Sequence, residues 1–281
     1  MSAPFHLMHI SDLHFHRLPR RPGDYLSKRA LGAANLLLRR RRLFPLQRAQ
    51  RLVERLQTLE WQHLLITGDL TQLGTAEEFA QARAVLAPLL ARGPEHVTVI
   101  PGNHDRYVAE PPGHGAFEAH FGEFAAPAAG APLRTRRLGE SWWLVAWDSA
   151  VPAPWHSAAG RVRPETLAAT EAWLAGLPPG ARVIVANHYP VFFPPPHRYK
   201  ASHDLANQGA VRAWLLSQPV RLYLHGHIHR NWVCAVDGRN GPLTAVNSAS
   251  STQRPRPGDP SAFHRIVLDG AEFRVEPQRL E

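Results

Sequence analysis

The sequence predicts an α/β fold, on three observations. Short apolar runs of β type alternate with helical stretches through most of its length, the last part strings strands together without helices, and no repeat or low-complexity tract interrupts the pattern. The composition agrees: 281 residues, 44% hydrophobic and 20% charged, are those of a soluble globular protein with enough apolar material for a real core. A single domain spanning residues 1–281 is expected, because α/β domains often run to about 250 residues. Cys234 is the lone cysteine, so neither an internal disulfide nor a thiolate zinc site is available.

The elements follow in order. Residues 5–10 form the first strand and 63–67 the second, with a long helical region between them. Thr75 and Glu78 then make a capping box, which opens an amphipathic helix that runs to Ala91 and is stopped by Gly93-Pro94. Further strands are predicted at 96–100, 142–147, 182–186 and 221–224, and helices at 164–177 and 204–217 precede the last two. Strands at 232–236, 243–246, 263–268 and 272–275 close the chain as antiparallel structure.

The chemistry gathers where strands end. The first runs into Ser11-Asp12-Leu13-His14, the second into Gly68-Asp69 and the third into Pro101-Gly102-Asn103-His104-Asp105. A later strand runs into Asn187-His188 and another into His225-Gly226-His227-Ile228-His229. Ligands of open α/β sheets bind outside the carboxyl ends of the strands, so these five clusters are expected to converge on one crevice. Gly68, Gly102 and Gly226 permit the positive φ or close backbone approach that such corners need. His16, His203 and His225 are neighbours by sequence and further candidates for the same crevice.

Carboxylates, imidazoles and a carboxamide without thiolate make a borderline-to-hard ligand set, suited to Mn, Fe or Zn, alone or mixed. The seven candidate ligands Asp12, His14, Asp69, Asn103, His188, His227 and His229 exceed what one ion needs, and a carboxylate such as Asp69 can bridge. Two divalent metal ions are therefore predicted. Against two carboxylates they leave the centre positive, which calls for an anionic substrate, a phosphorylated small molecule. Paired ions about 3.5–4 Å apart acidify a shared water and clamp the attacking and leaving oxygens of a displacement at phosphorus.

The ordered series Asp12-x-His14, Gly68-Asp69, Gly102-Asn103-His104-Asp105, His188 and Gly226-His227-x-His229 resembles the calcineurin-like metallophosphoesterase superfamily. All five blocks are present, spread from residue 12 to 229. The resemblance implies a four-layer αββα sandwich, and the sequence itself is read as adding a helical insertion after the first strand. It implies that Asp12, His14 and His229 hold one metal, Asn103, His188 and His227 the other, and that Asp69 bridges them. His104 is similar to the superfamily's non-ligand histidine, which stabilises charge on the phosphoryl group or protonates the leaving oxygen, with Asp105 orienting it. Departures narrow the branch. Leu70-Thr71-Gln72 after Asp69 lacks the Asp-x-x-Asp-Arg-Gly continuation of the serine/threonine phosphatases, and Gln72 stands where purple acid phosphatases place a metal-binding Tyr. His104 stands where bacterial UDP-diacylglucosamine pyrophosphohydrolases typically carry Arg. What remains is similar to the bacterial class III phosphodiesterases, so a hydrolase of cyclic nucleotides or other phosphodiesters is expected, with a metal-bridging hydroxide as nucleophile. A pyrophosphohydrolase of lipid-linked or nucleotide-sugar substrates such as UDP-diacylglucosamine, and a non-catalytic scaffold of the same fold, are the alternatives.

The segment 24–44 stands apart. Leu26, Ala30, Leu31, Ala34, Leu37 and Leu38 recur at helical spacing, with Lys28, Arg29 and Arg39 to Arg42 supplying cations. It reads as a basic amphipathic helix, which can pack on the body, rest on an anionic membrane surface or cover a substrate's acyl chain. The formal charge of +9 is no guide to partners by itself: 30 of the 32 basic residues are arginine, a bias of composition as much as function. No nucleic-acid partner is expected, since no aromatic platform accompanies the arginine run. The start lacks a charged region followed by an apolar run, so a cytoplasmic location is expected, with peripheral contact at the inner membrane surface through 24–44 as an option. The sequence leaves the oligomeric state open.

Overall fold

In the computed structural model, residues 3–18, 40–108, 115–125, 133–152, 157–248, 251–258 and 260–280 are described. The amphipathic helix expected over 24–44 falls on residues 24–39, outside the described residues, and only its end, from Arg40 to Phe44, is seen.

Eleven strands among the described residues form two sheets. The first contains β1 (Phe5–Ile10), β2 (His63–Ile66), β3 (Val97–Val99), β10 (Ala262–Asp269) and β11 (Glu272–Arg279), in the order β11-β10-β1-β2-β3. The second contains β4 (Arg134–Leu138), β5 (Trp142–Ala146), β6 (Arg182–Ala186), β7 (Val220–His225), β8 (Asn231–Gly238) and β9 (Gly241–Ser248), in the order β4-β5-β6-β7-β9-β8. β1, β2 and β3 are parallel, as are β5, β6, β7 and β9, and hairpins complete the edges.

Strand alternation sorts the side chains into layers. Leu7 and Leu65 of the first sheet meet Leu144, Ile184, Ala186, Leu222 and Leu224 of the second in one buried cluster between the sheets. The intervening residues Met8, Ile10, Leu64 and Ile66 face the other way, onto α2 (Leu46–Thr58) and α3 (Ala76–Leu90). Val183, Val185 and Tyr223 likewise face outward from the second sheet, onto α5 (Pro164–Ala175) and α6 (Gln208–Ser217). Both faces of the central strands are thus covered, which is why they read as continuous apolar runs. The result is helices, sheet, sheet, helices: the four-layer arrangement that the resemblance implies.

The capping box forms as read, with Thr75 Oγ1 accepting from Glu78 N at 3.2 Å and Glu78 reaching back to Thr75 N. Two further helices, α1 (Arg41–Leu43) and α4 (Ala116–Phe121), are short. No helix among the described residues is long and apolar enough to cross a membrane.

Candidate metal centre

The five polar clusters follow β1, β2 and β3 of one sheet and β6 and β7 of the other, so the site lies at the seam between the sheets. Backbone pairing fixes the first two loops side by side. Asp12 N donates to Gly68 O at 3.0 Å, His14 N to Asp69 O at 3.0 Å and Phe15 N to Leu70 O at 2.7 Å. Five non-glycine residues among those described have positive φ: Asp12 (56°), His14 (51°), Asp69 (52°), His227 (80°) and His229 (51°). Each such conformation costs of order 1–3 kcal/mol and persists only where surroundings over-determine it. All five belong to the seven candidate ligands.

The side chains come together in two groups. Asp12, His14, Asp69 and His229 place one ligand atom each within 4.8 Å of one another, and so do Asp69, His188 and His227. His14 Nε2 is 2.8 Å from His229 Nε2, which is 3.2 Å from Asp12 Oδ1. In the second group His188 Nε2 is 3.2 Å from both His227 Nδ1 and Asn103 Oδ1. Asp69 belongs to both, with Oδ2 3.7 Å from His14 Nε2 and Oδ1 3.5 Å from His188 Nε2.

Hydrogen bonds behind the ligands decide what the rings present. His14 Nδ1 donates to Thr71 O at 3.2 Å, His188 Nδ1 to Thr67 O at 2.7 Å and His227 Nε2 to His203 O at 2.8 Å. A carbonyl can only accept, so each ring spends its proton outward and turns a lone pair into the cluster. Burial lowers His14, His188 and His227 below the ordinary imidazole range, which keeps them neutral. Burial alone would raise Asp12, but bonding and charge from His229 outweigh it and leave the carboxyl below its usual value. Asp69 is pushed well up by burial and by the facing carboxylates of Asp12 and Asp105. Imidazole lone pairs and carboxylate oxygens therefore face one another, an arrangement that only cations satisfy. The residues fit divalent metal.

Two glycines make the approach possible. A Cβ on Gly226 would strike Ser11 and the Asp12 carboxylate, and one on Gly102 would strike Asp69 and His188.

His104 sits beside the two groups, its ring centroid 5.1 Å from that of His14, its backbone N donating to Asp69 Oδ1 at 2.9 Å. Its Nδ1 donates to Gln72 O at 2.7 Å, and burial, followed by the charge of Arg40, holds the ring well below its ordinary pKa. Asp105, expected to orient His104, has a different geometry. Its carboxylate accepts from Gly102 N at 2.9 Å, Leu70 N at 3.1 Å, and Thr71 N and Oγ1 both at 2.9 Å. It clamps the second loop to the third and reaches His104 only through Thr71, whose hydroxyl is also 3.2 Å from His104 O. His203 lies against the second group, with Nδ1 2.9 Å from His227 Nε2, whereas His225 turns into the buried interior beside Tyr223.

Three residues join the site that strand-end reading does not single out as site residues. Phe44 is buried with its ring centroid 4.4 Å from His14 and 5.4 Å from His229, shielding both imidazoles. Arg40 and Gln72 meet beside His104. The run of four arginines hints at Arg40, but nothing local marks which of them turns inward.

Paired cation cradles sharing one carboxylate, with a further imidazole alongside, on a four-layer αββα scaffold, define a metal-dependent phosphoester hydrolase. The chain belongs to the calcineurin-like phosphoesterase family, whose model matches residues 5–231. Among solved structures it is similar to a dimetal phosphatase from Danio rerio, at 15% identity over 100% of this chain and 98% of the other, with a TM-score of 0.71. It is also similar to a purple acid phosphatase from yellow lupin (Lupinus luteus) seeds, at 12% identity over 99% of this chain and 52% of the other, with a TM-score of 0.58. At such identities the likeness is one of fold. No curated protein sequence matches the chain.

Proposed function

We propose that the protein is a dinuclear metal-dependent phosphodiesterase acting on a small anionic substrate in the cytoplasm. Asp12, His14 and His229 hold one divalent ion, Asn103, His188 and His227 the other, and Asp69 serves both. The observation that carries the reading is Asp69, whose two oxygens face separate groups of imidazoles. Mn, Fe or Zn suits the donor set, and two such ions would acidify a water and neutralise the phosphoryl oxygens of the bound ester.

The chain's own residues do the rest. The carbonyls of Thr71, Thr67 and His203 hold the ligand rings in the tautomer that coordinates. Phe44 keeps water from one side of the first group. His104 stands beside the phosphoryl group with Arg40 Nη1 3.0 Å from its Nε2, and this pair meets the charge that develops there. The departures from the serine/threonine and purple acid phosphatase patterns after Asp69 support a diester over a monoester.

Elemental analysis joined to a substrate panel tests this. With cyclic AMP, bis(p-nitrophenyl) phosphate, p-nitrophenyl phosphate and a UDP-linked acyl sugar, the expected result is two ions per chain and faster turnover of substrates with disubstituted phosphorus. A single ion, or preference for the monoester, overturns the reading. Replacing His104 by Ala leaves metal content intact while turnover falls by about 10²–10⁴, and replacing Asp69 by Ala strips metal.

A further inference from the structure

Three arginines meet at the start of α2 with no carboxylate between them. Arg48, in the first turn, is 8% exposed, and its Nη2 donates to Leu280 O at 2.7 Å. Among the described residues that is the side chain's one hydrogen bond, and its Nε is buried without a partner. Arg51 follows three residues on, a neighbouring position on the helix surface. Arg254 is brought in by the segment 251–258, where its backbone N donates to Leu43 O at 2.8 Å, just ahead of the helix. Burial, and then the charges of Arg51 and Arg254, lower the Arg48 pKa from its ordinary value. None of the three forms an ion pair among the described residues. The helix adds to the excess, since α2 has no acidic residue in its first turn and no side chain capping its N-terminus. A buried guanidinium with an idle donor, pressed by like charges at the positive end of a helix, is unfavourable on every count. One kind of ligand relieves them together: an anion with several acceptor oxygens, which the arginine fork fits best as phosphate. Arg51 and Arg254 are exposed, so the place is open to solvent.

We propose that Arg48, Arg51 and Arg254 form a second anion site, outside the metal centre, that binds a phosphate group, whether free in solution or carried on the headgroup of an anionic lipid. Among the described residues the three arginines bond to none of the candidate metal ligands. The connection runs through the chain: Leu43, which accepts from Arg254, precedes Phe44, whose ring packs against His14 and His229. The proposal is independent of which ester the metal centre cleaves.

The test compares the metal-loaded wild type with an Arg51→Gln, Arg254→Gln double variant, whose altered side chains are exposed, and with Arg48→Met. Calorimetry with inorganic phosphate at low salt is expected to show one more phosphate bound per chain in the wild type than in either variant, where affinity at the second site falls by about 10-fold or more. Phosphate should also raise the melting temperature of the wild type by more than that of the variants. Turnover of bis(p-nitrophenyl) phosphate and metal content should be unchanged in the double variant, which separates this site from the centre. Cosedimentation with vesicles of phosphatidylglycerol and phosphatidylcholine, against phosphatidylcholine alone, tells the two sources apart. Binding to the anionic vesicles that the double variant loses assigns the site to a headgroup, whereas arginine-dependent phosphate binding without vesicle binding assigns it to the free ion. Equal phosphate stoichiometry and equal gain in melting temperature in wild type and double variant, with no arginine-dependent vesicle binding, overturns the proposal. Loss of turnover in step with loss of phosphate binding places the arginines in the metal centre and overturns it as well.

Discussion

Gly102→Ala adds a single methyl group and should disable the centre. Its Cβ would lie 2.5 Å from Asp69 N and 2.7 Å from His188 Cε1, and closest of all to Asp69 Oδ1. Ordinary contacts begin near 3.4 Å, so the Asp69 backbone and the His188 ring must recede by roughly 0.7–0.9 Å, and Asp69 Oδ1 by more. Neither can do so cheaply. The Asp69 backbone is tied to His14 N at 3.0 Å, and the His188 ring to Thr67 O at 2.7 Å. Overpacking of this kind costs about 1–3 kcal/mol, or roughly 2–10 °C in Tm for a domain of this size. Because the displaced groups are ligands rather than their supports, metal affinity should fall by at least the 10- to 100-fold typical of losing a supporting contact. The assay is metal stoichiometry after gel filtration, melting with and without added Mn, and turnover of bis(p-nitrophenyl) phosphate. Gly209→Ala is the control, since a Cβ there, within α6, meets nothing within 4 Å, and it should leave all three unchanged or raise Tm slightly. A Gly102→Ala protein that keeps two ions, its melting temperature and its turnover would refute the reasoning.

Other expectations follow from the same geometry. Burial lowers His63 to a pKa of about 3 and His264 to about 4, against 6.5 for a free imidazole. Between those values the unfolded chain takes up protons that the folded one refuses, so stability is full above pH 6.5 and falls as pH drops toward 4, by about 2 kcal/mol per ring between pH 7 and 5. Denaturant titrations at the two pH values measure this, and His63→Gln should flatten the dependence; an unchanged slope would contradict the burial argument. Asp105→Ala leaves the Gly102, Leu70 and Thr71 amides without their acceptor, and should cost about 3 kcal/mol or more and release metal, seen together by melting and elemental analysis. Asp105→Asn, which keeps one acceptor, should lose roughly half as much stability.

The parts of this molecule legible in its sequence are those written in short range. Central strands such as His63–Ile66 are buried on both faces and announce themselves as apolar runs, and the loop after each carries its polar residues in order. Thr75 and Glu78 are three residues apart, and their mutual capping is a local fact. By contrast, β4 reads Arg-Thr-Arg-Arg-Leu, an edge strand whose charges discourage further pairing, and only Leu138 is buried. No periodicity betrays it. The six-residue α4 is too short to show a face. β9 runs parallel to β7 only because β8 carries the chain back between them, which is a property of topology rather than of either strand. The same division holds in the centre. Asp12 and His14 are separated by one residue, whereas Arg40 reaches His104 across 64 positions, and Asp105 bonds to neighbours rather than to the ring beside it in sequence.

The clusters that meet at the centre are drawn from both sheets, three from one and two from the other, with Ser248 bonded to both His9 and His264 as a further tie across the seam. Cations seated there would act as rivets through two plates. Starving the protein of metal would then loosen the grip of one half on the other, not merely silence a reaction, by the free energy that binding lends to the native state. Metal supply would be felt as protein lifetime, through proteolysis of the opened form.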